Sequence, residues 1–108
     1  MPSARFVVIE GPDLGREFPV PLRGGGIGRG EGNIVQLSDL SVSRTHCNVE
    51  LRGGQLALVD RESRNRTLVN GQPITEHVLG KGDEIVIGQT RLTFLPADEV
   101  TPPQTTGT

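Results

Sequence analysis

Apolar and polar positions alternate along this chain in short bursts, and turn residues interrupt every burst before it reaches the length of a stable amphipathic helix. Residues 4–10 read Ala-Arg-Phe-Val-Val-Ile-Glu, β-branched and aromatic, and Gly11-Pro12-Asp13 closes the run. This predicts a first strand. Residues 15–20 predict a second, placed at a sheet edge because Pro19 and Pro21 cannot donate to a ladder. Further on, Cys47, Val49 and Leu51 alternate with Asn48, Glu50 and Arg52, the period of a half-buried strand. Gly53-Gly54 turns the chain into Gln55–Asp60, forming a hairpin. Asn70-Gly71, flanked by Leu68-Val69 and Gln72-Pro73-Ile74, is a second hairpin signal. Residues 85–87 and 91–95 form a third around Gly88-Gln89, with Ile85, Ile87, Leu92 and Phe94 available to a core.

Two stretches break the pattern. Residues 33–52 contain neither Gly nor Pro, and apolar residues at 34, 37 and 40 fall at helical spacing. Ser38, Ser41 and Ser43 are poor helix-interior residues and Val42 is β-branched, so the segment before His46 is expected to be an irregular connection. Residues 60–67, Asp-Arg-Glu-Ser-Arg-Asn-Arg-Thr, are the most polar run and predict a loop. From Pro96 onward apolar periodicity ends. The expected organisation is one domain over residues 1–95 and a disordered tail or interdomain linker over 96–108.

Composition narrows the class. Fifteen Gly and eight Pro in 108 residues cut the chain into pieces too short for several long helices, which favours an all-β sandwich in a single domain. A net charge of -2, with three Phe and neither Trp nor Tyr, argues against nucleic-acid or membrane binding. The single cysteine, Cys47, cannot form an internal disulfide and is expected as a small core residue. No apolar run approaches the roughly 20 residues of a membrane span, and a reducing, cytoplasmic setting fits best. The cations, however, are unevenly placed: residues 28–71 carry six of them, all arginine.

The glycine-rich run Gly24–Gly30 gives no G-x-G-x-x-G frame, and the one lysine, Lys81, precedes Gly82, so both nucleotide-loop motifs fail and no cofactor is expected. The run is expected instead as a glycine-rich strand entry where backbones approach closely. Ser43 and His46, with Asp39 or Asp60, have the composition of a hydrolytic triad but lack a nucleophile elbow. His46, Cys47 and His77 lack metal-site spacing. Arginine beside hydroxyl and amide side chains, by contrast, is what a dianionic phosphate asks for, because each group donates a charge-assisted hydrogen bond to a phosphoryl oxygen.

Gly28-Arg29, then Ser43-x-x-His46, then Asp60-x-x-Ser63-x-Asn65-x-Thr67-x-Val69-Asn70-Gly71 resembles, in order and spacing, the signature of the fork-head-associated (FHA) domain family over residues 4–95. The resemblance implies an eleven-stranded β-sandwich whose loops at one end bind phosphothreonine peptides of partner proteins in kinase signalling, without catalytic activity. Carried over, Arg29 and Ser43 would hold the phosphate, with Arg44 and Arg64 adding cations. Asn65 would bond the peptide backbone, and Gly28, His46, Asn70 and Gly71 would support the site. The third segment departs from the family's usual Gly-Ser-Thr-Asn-Gly-Thr: Glu62, Arg64 and Arg66 replace its first Gly, its Thr and its second Gly. The loop around Arg66 is therefore expected to sit differently. An FHA-like scaffold that binds proteins independently of phosphate is the rival expectation. Thr101, Thr105, Thr106 and Thr108 in the tail, if phosphorylated, could dock into the domain's own site.

Overall fold

The computed structural model describes residues 4–61 and 66–96. Arg64 and Asn65, along with Glu62, Ser63 and the tail threonines, lie outside them. The described residues contain eleven strands and no helix: β1 (Arg5–Glu10), β2 (Glu17–Pro19), β3 (Gly25–Gly28), β4 (Val35–Gln36), β5 (Cys47–Arg52), β6 (Gln55–Asp60), β7 (Thr67–Val69), β8 (Gln72–Pro73), β9 (Glu76–Val78), β10 (Glu84–Ile87) and β11 (Thr90–Leu95). They form two sheets, ordered β2-β1-β11-β10-β7-β8 and β4-β3-β5-β6-β9. The expected eleven-stranded sandwich is the fold.

Alternation along each strand delivers one face to the core. Phe6 and Val8 of β1, Ile85 and Ile87 of β10, and Leu92 and Phe94 of β11 meet Ile27, Val35, Cys47, Val49 and Leu58 of the opposite sheet, and all are buried. Each large apolar side chain so buried contributes about 1.5–3 kcal/mol. The Phe6 and Phe94 rings, on directly paired residues, lie 5.4 Å apart at 57°, a tilted arrangement favoured by the aromatic quadrupole. β2 is an edge strand, as Pro19 requires. Asn70 and Gly71, at φ 52° and 86°, make the left-handed two-residue turn between β7 and β8.

Two strands are additional to those the pattern predicts. β4 lies in the connection expected to be irregular and pairs in parallel with β3, Ile27 opposite Val35. The helical spacing of Ile34, Leu37 and Leu40 is coincidental, since Leu37 is 1% exposed and Leu40 85%. β9, three residues long, adds to the edge beyond β6 through Ala57–Val78 to Val59–Glu76 pairing. Strands this short carry too few residues for a period to register.

Candidate functional site

The end of β3 and the loop that leads into β5 are laced together by backbone hydrogen bonds. Arg29 N donates to Ser43 O at 3.0 Å, Gly30 N to Arg44 O at 3.0 Å and His46 N to Ile27 O at 2.8 Å. Contact this close excludes a side chain at the crossing point. A Cβ on Gly28 would lie 2.2 Å from Arg44 O and 2.9 Å from Ser43 O. Asn33 reinforces the junction, its amide nitrogen donating to Gly30 O at 2.7 Å and to Arg44 O at 2.9 Å.

Arg29 and Ser43 are thereby neighbours, although fourteen positions apart in sequence. The Arg29 guanidinium is tethered through Nε, which donates to Val42 O at 3.1 Å. Its two terminal nitrogens make no other bond among the described residues, and the side chain is exposed. A guanidinium held by one edge with the other facing solvent is a pre-oriented donor fork. Arg44 is exposed beside it.

His46 is fully buried behind these residues. Its Nδ1 accepts from Ser43 N at 3.2 Å, and its Nε2 donates to Arg66 O at 2.7 Å, so the ring carries its hydrogen on Nε2 and both nitrogens are occupied. Its own carbonyl accepts from Arg61 N at 3.0 Å. The imidazole therefore links the Ser43 loop to the Arg66 end of the β6–β7 loop, and the His46 backbone carbonyl holds its Arg61 end. The two aspartates of the triad pattern are engaged elsewhere: Asp60 accepts from the Thr67 hydroxyl at 2.7 Å, and Asp39 is turned toward β11.

Asp39 ties the loop to the β10–β11 turn. It accepts from Ser41 N and Oγ, from Gln89 N at 2.8 Å and from the Thr90 hydroxyl at 2.9 Å. Burial alone would raise its pKa, but these donors, led by the Ser41 hydroxyl, outweigh burial and hold the carboxyl below its usual 3.8. Asp13 ties the same connection to the β1–β2 turn, accepting from Ser38 N at 2.8 Å and Ser38 Oγ at 3.0 Å. The sequence reading did not assign Asn33, Asp13 or Asp39 a supporting role. Only Asp39 carried a local signal, the Asp-x-Ser spacing of an Asx turn.

The remaining expected site residues fall in two places. Arg64 and Asn65 belong to the segment outside the described residues. Asn70 and Gly71 are at the far end of β7 from the loop, where the Asn70 amide donates to Asp83 Oδ1 and accepts from Glu84 N, both at 3.0 Å. Any support they lend the site passes through β7. Cys47, beside His46, is a core residue as expected, with its thiol pushed up to about 12 by burial. Arg66 adopts a φ of 62°, the left-handed region a glycine would occupy without strain. Arg66 itself thus keeps a glycine-like backbone, while the expected change of path falls on residues 62–65, outside the described residues.

The family model described as the FHA domain matches residues 26–88. The chain belongs to the FHA domain family. Its FHA segment is similar to the glycogen accumulation regulator GarA of Mycolicibacterium smegmatis, 41% identical over 93 residues that make up 86% of this chain and 59% of GarA. It is equally similar, at 41% over 93 residues, to the oxoglutarate dehydrogenase inhibitor of Corynebacterium jeikeium, covering 86% of this chain and 65% of that protein. The chain thus spans about three-fifths of the length of these relatives. Among solved structures, an FHA domain studied for phosphothreonine-dependent interactions superposes with a TM-score of 0.78 at 31% identity, over 86% of this chain and 95% of that one. Among the described residues of this FHA domain, no helix is long and apolar enough to cross a membrane.

Proposed function

We propose that this FHA domain is a phosphothreonine-peptide recognition module, an intracellular adaptor without catalytic activity of its own. The observation that carries the reading is the Arg29 fork, tethered to Val42 O and locked beside Ser43 by the 3.0 Å backbone bond. Phosphorylation of a partner adds about -1.5 to -2 charges and three strong acceptor oxygens. Arg29 and Ser43 hold that phosphate, Arg44 and Arg64 add positive charge, and Asn65 bonds the peptide backbone. Gly28 and His46 keep the loops in register.

Charge placement supports the reading. Arg5, Arg16, Arg52 and Arg91 each pair with a carboxylate. Arg29, Arg44, Arg61 and Arg66 have no such partner among the described residues. Arg23, in the β2–β3 connection, likewise has none among the described residues. The other four lie on the β3–β5 and β6–β7 loops of a chain of net charge -2 and favour an anion-binding surface over a general polycation. By analogy with its relatives, the domain regulates a metabolic enzyme, with oxoglutarate dehydrogenase as the first partner to test.

Binding to an oriented phosphothreonine peptide library, beside unphosphorylated and phosphoserine libraries, tests the proposal. Selective capture of phosphothreonine that Arg29→Ala abolishes is the expected result. Equal capture from all three libraries would instead favour a scaffold that binds independently of phosphate.

A further inference from the structure

Apolar side chains reach solvent at the end of the sandwich away from Arg29 and Ser43. β5 runs from beside His46 to the Gly53-Gly54 turn, so its last apolar residue, Leu51, stands at that opposite end. Leu51 and Leu22, 48% and 70% exposed, line one open recess of about 360 Å³ together with Leu56, Leu79 and Phe94. Leu79 and Phe94 belong to the core and Leu56 packs against it, so the recess is the edge of the core itself. Contiguous apolar surface of this kind, unlike a single exposed leucine, marks a contact surface.

The chain supplies a segment that fits it. Pro96, the last described residue, also lines the recess, so residues 97–108 depart from its wall. They begin Ala97-Asp98-Glu99-Val100; Val100 is the one branched aliphatic residue after Pro96, and Asp98 and Glu99 are the only charged ones. Cations stand beside the recess. Arg23, next to Leu22 in sequence, is exposed and has no carboxylate partner among the described residues. Lys81 is exposed in the turn whose Gly82 N donates to Phe94 O at 2.9 Å, close to where the chain leaves β11.

From this match of apolar floor and cationic rim to a valine and two carboxylates, we propose that residues 97–100 fold back over the recess as an intramolecular cover. Val100 lies on Leu22 and Leu51, and Asp98 and Glu99 face Arg23 and Lys81. Four extended residues span about 13 Å, longer than the roughly 7 Å breadth of a compact space of 360 Å³, so Val100 reaches the far wall. Weak contacts suffice, because the tether supplies a high effective concentration. The cover is independent of the phosphothreonine reading, since it lies at the other end of the molecule.

The test is NMR on the full 108-residue chain carrying Thr101→Cys with a nitroxide on the new thiol, the buried Cys47 remaining unlabelled. The readout is the loss of leucine methyl intensity relative to the reduced nitroxide. Selective loss at Leu22, Leu51, Leu56 and Leu79, with Leu14 and Leu40 at full intensity, is expected. Most of that loss should be recovered when Val100→Ser, Asp98→Asn and Glu99→Gln are combined in the same chain. No selective loss overturns the cover, and so does a loss that the combined variant leaves unchanged, which reports only the nearness of the attachment point. Mixing the nitroxide chain with isotope-labelled chain that lacks it supplies the second arm. Loss at the same leucines in that mixture assigns the recess to a second copy and overturns the intramolecular cover; full intensity there supports it.

Discussion

A Cβ on Gly28 would lie 2.2 Å from the carbonyl oxygen of Arg44, so the end of β3 and the loop that carries Ser43 can touch only because residue 28 has no side chain. No flexible group is available to yield, since the opposing atom is backbone. Gly28→Ala is therefore expected to push the loop away from Arg29, at a cost of about 1–3 kcal/mol in stability. Chemical denaturation should show the loss, with phosphothreonine-peptide affinity falling in the same variant. Unchanged values for both would mean that the crossing is looser than its geometry states.

Arg29→Ala and Ser43→Ala should behave differently from Gly28→Ala. On the proposed reading each removes charge-assisted or hydroxyl donation to phosphate without introducing a clash, and each is expected to weaken phosphopeptide binding by about 1.5–3 kcal/mol. Midpoints of denaturation should move little. Isothermal titration alongside a thermal melt separates the two classes.

His46→Ala removes the ring that satisfies Ser43 N and Arg66 O, leaving two backbone groups to find water or go unpaired. The expected penalty is about 1–3 kcal/mol for each group that stays buried. Phosphopeptide affinity should fall as the two loops lose their common spacer. Affinity equal to that of the parent chain would show that the loops hold their spacing without the ring.

Asp39 and Asp83 predict an acid limit. In both, hydrogen bonds outweigh the upward push of burial and hold the carboxyl below 3.8, Asp83 through Gly80 N, Asn70 and His77. A depressed folded-state pKa means stability that is present above pH 3.8 and lost as pH falls through the lower folded value. Thermal melts between neutral pH and pH 2 should show this decline below about 4, shallower in Asp39→Asn. A melting temperature flat across that range would exclude these carboxylates as its source.

Cys47 should resist alkylation in the native state. Burial raises its thiol from 9.0 to about 12, overriding a hydrogen bond with Thr67, and leaves little thiolate to react. A thiol that ionises at 9.0 unfolded and near 12 folded favours the native state below pH 9.0, and that contribution is lost as pH climbs toward 12. Iodoacetamide labelling is expected only after denaturant is added; rapid native labelling would contradict the burial.

Much of this protein was legible in its sequence because the relevant information is local. Alternation of Cys47, Val49 and Leu51 with polar neighbours, the Asn70-Gly71 turn and the prolines beside β2 each report a backbone preference within a few residues, and together they specify short strands and a sandwich. The cluster of arginines between residues 28 and 71, read with Ser43 and His46, pointed to phosphate. Tertiary structure alone decided what depends on residues meeting across the fold. The pairing of Gly28 with Arg44 O, the three-way role of His46, the anchoring of Asp39 to Thr90 and the left-handed backbone of Arg66 are contacts between segments, and sequence spacing does not record them. β4 and β9 belong to the same group: strands of two and three residues have no period of their own and exist because a longer neighbour offers them its edge.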